Sequence, residues 1–183
     1  MTDDLTTVLT EIEGVAAKTD REQIRMLVDR LTAAPRVFVS GEGRSGLMGK
    51  AFAMRLMHLG LTVYVLGETI TPSVGAGDLV VAISGSGTTA GTVRVAESAR
   101  GAGAAVHAVT TDPSSPLAGA AEAALVLPAA TKYRRADEAP TIQPLSSLFD
   151  QMTHVALDVV CLEVARRREV DNDAARRTHS NTE

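Results

Sequence analysis

The chain has 183 residues, of which 45% are hydrophobic and 22% charged, and its formal net charge is −4, which is typical of one globular domain. The acidic balance, together with three Phe, two Tyr and no Trp, argues against a dedicated nucleic-acid-binding protein, which needs a cationic surface and stacking platforms. The single cysteine, Cys161, excludes an intrachain disulfide. The sequence contains no run of about 18 apolar residues, so no membrane span is predicted.

The first predicted element is a helical segment over residues 3–34. Apolar residues such as Leu5 and Leu9 recur at helical spacing, Asp20 is a candidate N-cap for a second stretch, and Pro35 ends it. The N-terminus is acidic and lacks a continuous apolar run, so it does not resemble a secretory signal. We therefore expect a cytoplasmic protein.

Five short β-branched segments follow and predict strands, at 36–40, 62–66, 78–84, 104–109 and 124–127. Helical patterns lie between several of them, at 45–59, 88–101 and 115–121. Strands that alternate with helices indicate parallel pairing through crossover connections, and strands that are apolar throughout indicate a sheet covered on both faces. The prediction is an α/β three-layer sandwich with a doubly wound, five-stranded parallel sheet.

The last third of the chain begins with a polar stretch, 129–143, which we interpret as a loop. An apolar stripe then predicts a final helix at about 145–168, and the charged tail 169–183 is weakly patterned and is expected to be mobile on its own. The whole chain is predicted to be one domain, with helices over 1–34, the α/β core over 35–168 and the tail.

Polar residues follow the first predicted strand. Ser40 and Gly41 end that strand, and Arg44 and Ser45 lie in the turn before the next helix. The glycines of the motif SGEGRSG fit GxGxxG, which by itself indicates a dinucleotide site. The polar turn counts against that interpretation, as does the second strand, which ends without an acidic residue; Glu68 lies two positions further on.

A second polar loop follows the third predicted strand and precedes a helix. Its glycines allow close backbone approach, its hydroxyls can donate hydrogen bonds, and the helix N-terminus favours an anion; it comprises Ser84, Gly85, Ser86, Gly87, Thr88 and Thr89. A Gly-Lys-Ser/Thr sequence is missing, so the loop suits a phosphate ester better than a nucleoside triphosphate. A plain turn with N-caps is the alternative, but two such loops at strand ends favour a phosphorylated small ligand.

At these loops the sequence resembles a known family. SGSGTT resembles the phosphate loop of sugar isomerase (SIS) domains, whose fold is flavodoxin-like. Several further motifs, in order, resemble 6-phospho-3-hexuloisomerases: SGEGRSG, AFAMRLMHLG (51–60), GETITP (67–72), SPLA (115–118) and QPLSSLFDQ (143–151). The resemblance runs from about Val37 to Gln151, with a fainter likeness over 179–183.

The resemblance implies conversion of 3-hexulose 6-phosphate to fructose 6-phosphate, the second step of formaldehyde fixation by the ribulose monophosphate pathway. It also implies no organic cofactor and a homo-oligomer, usually a tetramer, with sites near subunit boundaries. The alternatives are another SIS isomerase, of the arabinose 5-phosphate or heptose-phosphate type, and a non-catalytic sugar-phosphate sensor. A nucleotide-binding Rossmann protein is a third alternative.

Isomerisation through an enediol needs a base that moves a proton between adjacent carbons. The resemblance implies that Ser45 and the loop 84–89 hold the phosphate, and that Asp150 stands where relatives have a Glu proton acceptor. Relatives also often have Glu at the position of Thr88. Because Asp is one methylene shorter than Glu, Glu68 after the second strand remains the alternative base.

Two histidines and one arginine complete the candidates. His58 lies near a predicted helix end, where a core or capping role is the more usual one, and His179 lies in the tail, from which SIS isomerases often complete a neighbour's site. Arg44 could neutralise a phosphate or polarise a carbonyl, because a cation at a helix N-terminus indicates a nearby anion. The four histidines show no metal-binding spacing, and no metal site is predicted.

Overall fold

A computed structural model describes residues 3–136 and 138–182, so Asp137 in the predicted loop and Glu183 in the tail motif lie outside the described residues. The helices of this part of the chain are α1 (Asp4–Lys18), α2 (Arg21–Ala33), α3 (Gly43–His58), α4 (Ala90–Gly101), α5 (Pro116–Ala120), α6 (Ser147–Arg167) and α7 (Asn172–Arg177). The strands are β1 (Val37–Gly41), β2 (Val63–Val65), β3 (Leu79–Ile83), β4 (Ala105–Thr110) and β5 (Ala123–Val126). None of the helices described is long and apolar enough to cross a membrane.

The five strands form one sheet in the order β2-β1-β3-β4-β5, and every neighbouring pair is parallel. This confirms the predicted α/β fold. The chain adds β2 on one side of β1 and β3 on the other, so the loops after β1 and β3 lie side by side at a topological switch point. That is where open parallel sheets bind their ligands.

Helices cover both faces of the sheet. Alternate side chains of β1 point to opposite faces, so Val37 and Val39 belong to one apolar cluster and Phe38 belongs to the other. The first cluster packs α1, α2, α3 and α6 against the sheet, and the second packs α4 and α5. The N-terminal segment forms two helices, and Asp20 caps the second as predicted by accepting from the Glu22 backbone N–H at 2.8 Å.

The tail is more ordered than its sequence pattern indicated. Residue Asp171 accepts a hydrogen bond from the Ala174 backbone N–H at 2.7 Å and begins the short helix α7. The hydroxyl of Thr178 then donates to the His58 carbonyl at 3.0 Å, and the ring of His179 stacks on the His58 ring with centroids 5.1 Å apart. The tail therefore docks against the C-terminal end of α3.

Candidate active site

The loop after β1 allows a helix to begin directly against the strand. A Cβ at Gly46 would lie 2.6 Å from the Gly41 carbonyl oxygen, so only glycine permits this approach, and Gly43 has φ +59°. The glycine spacing that fits a dinucleotide motif is thus explained by close packing of β1 on α3. The same packing leaves the side chains of Arg44 and Ser45 in the first turn of α3.

The loop after β3 is held by hydrogen bonds to its neighbours. The backbone N–H groups of Thr111 and Leu117 donate to the carbonyls of Gly85 and Gly87 at 3.1 and 3.0 Å. Gly87 has φ +63°, and a Cβ there would overlap the Ser115 hydroxyl. The loop leads into α4, whose N-cap makes no side-chain hydrogen bond, so N–H groups of the first turn remain available to an anion.

The two loops meet at a small polar cavity of about 110 Å³, the candidate site for a phosphate, which we call the phosphate cavity. Five residues predicted to bind phosphate line it: Ser45, Ser84, Gly85, Ser86 and Thr89. Ser84 and Thr89 share a hydrogen bond between their hydroxyls at 2.9 Å. The cavity is large enough for a phosphate group and smaller than the ~300–1,000 Å³ of ordinary small-molecule sites.

The cavity also has walls that the sequence did not predict. Glu42, Lys132 and Ser146 line it beside the two loops. Glu42 was visible within SGEGRSG, but nothing in that motif assigned its side chain to the phosphate cavity. Lys132 and Ser146 lie on the long loop before α6, and no local pattern signals that this loop reaches the ends of β1 and β3.

Asp150 lies directly behind Ser45. It is in the first turn of α6 and is only 3% exposed. The Ser45 hydroxyl donates to Oδ1 at 3.2 Å, and Arg44 Nε lies 3.2 Å from Oδ2. Burial raises the pKa of the Asp150 carboxyl, while Ser45 and then Arg44 oppose that rise. A carboxyl of this kind suits proton transfer, because its pKa lies closer to neutral pH than that of an exposed Asp.

Arg44 faces Asp150 instead of lining the phosphate cavity. Besides the ion pair with Asp150, its Nη1 donates to the Ser147 hydroxyl at 3.4 Å. The cation at the N-terminus of α3 therefore has its anion in the protein itself, at the first turn of α6.

The other candidate bases lie elsewhere in this chain. Glu68 pairs with Lys50 Nζ at 2.7 Å beyond the edge strand β2, and both side chains are half-exposed. His58 ends α3, about 20 Å along the helix from Ser45. Burial, then Arg55 and His179, lower the pKa of His58. The structure brings Asp150 next to the phosphate cavity of the same chain, and it leaves Glu68, His58 and His179, which stacks on His58, away from it.

A wider groove of about 660 Å³ begins at Ser40 and Gly41 and runs along α4. Its walls are largely apolar, including Leu66 and Val95, and Glu42 lines both this groove and the phosphate cavity. Within the residues described, no three His, Cys, Asp or Glu side chains are grouped so as to hold a metal ion.

The chain is similar to proteins of one family, and residues 30–157 match the model of the SIS domain. A protein of Mycobacterium gastri named 3-hexulose-6-phosphate isomerase is 44% identical over 183 residues, which cover 100% of this chain and 92% of that protein. A Bacillus subtilis protein of the same name is 35% identical and covers 96% and 95%. A solved structure from Methanococcus jannaschii, for which that molecular function was inferred, matches with a TM-score of 0.85 and 30% identity over 100% of both chains.

Proposed function

The chain belongs to the SIS domain family, and we propose that it interconverts 3-hexulose 6-phosphate and fructose 6-phosphate. Relatives at 44% and 35% identity, aligned over nearly the whole chain, carry the name of this isomerase. The protein is therefore a sugar-phosphate isomerase. Its place in formaldehyde fixation by the ribulose monophosphate pathway and its cytoplasmic location are part of the proposal.

The proposed phosphate site is the cavity between the loops after β1 and β3. Ser45, Ser84, Ser86 and Thr89 line it with their hydroxyl-bearing side chains, and its lining residue Thr89 is the N-cap of α4, where a helix offers backbone N–H groups to an anion. Ser40, Gly41, Gly87 and Thr88 do not line this cavity; Gly87 shapes the loop, and Thr88 donates to the Ser86 hydroxyl at 2.9 Å. They support the binding residues in this proposal.

The observation that carries the function is the contact between Ser45 and Asp150 at the edge of this cavity. We assign Asp150 as the base. It takes the proton from C2 of the 3-ketose while the C3 carbonyl oxygen gains a proton, which gives the 2,3-enediol. The first proton then returns at C3 while the C2 hydroxyl gives up its proton and becomes the new carbonyl, so that one proton has moved from C2 to C3 and one from O2 to O3. Asp150 does not itself line the cavity; it lies behind Ser45, whose hydroxyl lines the cavity and donates to the carboxylate. Glu68 remains the alternative base.

The proposal includes a homo-oligomer, specifically a tetramer with sites at subunit boundaries. One feature supports it: α3 and α6 expose apolar side chains, namely Leu47, Met54, Met57, Val155, Val159 and Leu162. In such an assembly the tail residue His179 would reach a neighbour's site, while the ring of His58 is buried at the end of α3. Light scattering on the purified protein tests the mass, and a monomer at assay concentration contradicts this part.

Deuterium exchange tests the reaction. Fructose 6-phosphate in D₂O should exchange its C3 hydrogen in the presence of the protein, because the 2,3-enediol is formed by removing that hydrogen. Exchange at C1 instead would identify an isomerase that works through a 1,2-enediol. Binding without any exchange would identify a non-catalytic sensor.

A further inference from the structure

The phosphate cavity contains an acidic residue that a phosphorylated substrate must approach. Glu42 lines the cavity, and its carboxylate occupies the space that a Cβ on Gly91 would need, in the first turn of α4. A phosphate held by the loop 84–89 would lie beside this carboxylate, and like charges repel. Arg44 is already paired with Asp150, so it does not balance the added charge.

Lys132 is the one basic residue among the described residues that line the cavity. Its side chain is exposed, and its ammonium lies 5.1 Å from the centre of the Tyr133 ring. A lysine ammonium binds phosphate as a compact charge on a flexible stem, and the residue that carries this one already lines the cavity.

The backbone beneath Lys132 is fixed from several sides. Its N–H donates to the Ser146 hydroxyl at 3.1 Å, and Ser146 itself lines the cavity.

The residues around Lys132 are held by two charged side chains of the same loop. The guanidinium of Arg134, a residue with φ +48°, donates to the carbonyls of Thr131, Gln143 and Leu145. The carboxylate of Glu138 accepts from the N–H and the hydroxyl of Thr131 at 2.8 and 2.6 Å.

A helix from the other end of the chain also holds this loop. The carboxylate of Glu11 in α1 accepts hydrogen bonds from Thr141, Ile142 and Gln143 at 2.6–2.9 Å. Lys132 thus combines an anchored backbone with an exposed, charged end that, among the described residues, only the Tyr133 ring contacts as a cation–π partner, which is the arrangement expected of a side chain that turns toward a bound anion.

We propose that Lys132 binds the substrate phosphate from the side of the cavity opposite the loop 84–89 and offsets the charge of Glu42. This inference rests on the proposed function, because it requires a phosphorylated substrate. It adds a specificity residue that selects a phosphate ester over the free sugar.

The test compares Lys132→Met and Lys132→Arg with Lys18→Met, a matched exposed lysine at the end of α1. Binding of fructose 6-phosphate and of inorganic phosphate is measured by calorimetry at low and high salt, and thermal melts check folding. Lys132→Met should weaken both ligands at least tenfold at low salt and reduce the salt dependence. Lys132→Arg should stay within a few-fold of wild type, and Lys18→Met should match it.

Wild-type affinity in folded Lys132→Met overturns the inference. If wild-type protein binds phosphate without any C3 exchange, and Lys132→Met binds phosphate more weakly, the proposed reaction fails and the role of Lys132 stands. If wild-type protein binds neither ligand, both are overturned.

Discussion

The hydroxyl of Ser45 donates a hydrogen bond to the carboxylate of Asp150 at 3.2 Å, although 105 residues separate them in sequence. Ser45 faces the phosphate cavity, and Asp150 is buried behind it at the start of α6. This contact joins the loop after β1 to the last long helix. It places a carboxyl with a raised pKa directly behind a residue that lines the cavity.

Burial of the Asp150 carboxylate should lower the unfolding free energy of the protein at neutral pH. Because its folded-state pKa is raised, the protonated carboxyl stabilises the fold at low pH, and this contribution is lost as pH rises through the folded-state pKa. An amide carries no charge at any pH. Asp150→Asn should therefore be at least as stable as wild type at pH 7.5 in urea unfolding, even though its activity is lost.

Asp78 is a control for Asp150, because it is also buried but its pKa is shifted in the opposite direction. It is 2% exposed, and its hydrogen-bonded ion pair with Arg36 lowers the pKa of its carboxyl. The ionised form then contributes stability above the unfolded-state pKa, and this is lost as pH falls through the folded-state pKa. Asp78→Asn should destabilise at pH 7.5. Equal losses in both variants would contradict the assignment of Asp150.

Arg44 should set the acid limb of the pH–rate profile. It opposes the rise in the pKa of Asp150, so Arg44→Met should move the acid limb of kcat/KM to higher pH. Arg25→Met, which removes an exposed arginine paired with Glu22 on α2, should leave the limb in place. An unmoved limb in Arg44→Met would separate Asp150 from the titration that controls activity.

Gly87 should be required for the shape of the phosphate loop. Alanine there combines strain at φ +63° with overlap on the Ser115 hydroxyl. We expect a loss of about 1–3 kcal/mol in unfolding free energy together with weaker phosphate binding. Gly119→Ala, in α5 with open space around it, should not destabilise. Retention of both stability and binding by Gly87→Ala would show that the loop adopts another shape.

His107 should make the fold sensitive to acid. Both of its ring nitrogens lack a partner among the described residues, and burial, with a smaller effect of Arg30, lowers its pKa to about 3. Below about pH 6.5 the unfolded chain binds a proton that the folded chain does not, which costs up to about 1.4 kcal/mol per pH unit.

His107→Leu should therefore lose less stability than wild type between pH 8 and pH 5, by up to about 2 kcal/mol in urea unfolding. Val106→Ala, a neighbouring buried change without a titrating group, should lower stability equally at both pH values. If His107→Leu leaves the pH dependence of stability unchanged, His107 is not the cause of the acid sensitivity.

The sheet and the two loops could be predicted because they depend on local signals. Apolar runs separated by helical patterns indicate parallel strands, and parallel strands bring residues such as Ser45 and Ser86 to one edge. Asp150 was identified through family resemblance alone. Its contact with Ser45 depends on how α6 packs against α3, which no local pattern encodes.

Neither the position of Lys132 nor the helix α7 could be predicted from a local pattern, for two different reasons. Lys132 reaches the cavity because Glu11, Arg134 and Glu138 hold a long polar loop in place, and each of these contacts joins separate parts of that loop or of the chain. The helix α7 has only six residues, too few for a periodic pattern, and it is held by its cap and by the contact of the following Thr178 with His58.

The central claim is that Asp150 is the base of a 3-hexulose 6-phosphate isomerase. The most direct measurement feeds ribulose 5-phosphate and formaldehyde to a known hexulose phosphate synthase and follows fructose 6-phosphate with wild-type protein, Asp150→Asn or Glu68→Gln. Wild type and Glu68→Gln should form product, and Asp150→Asn should be slower by about 10²–10⁴-fold. Full activity in Asp150→Asn, or loss of activity in Glu68→Gln, would contradict the assignment, and no product with wild type would contradict the function.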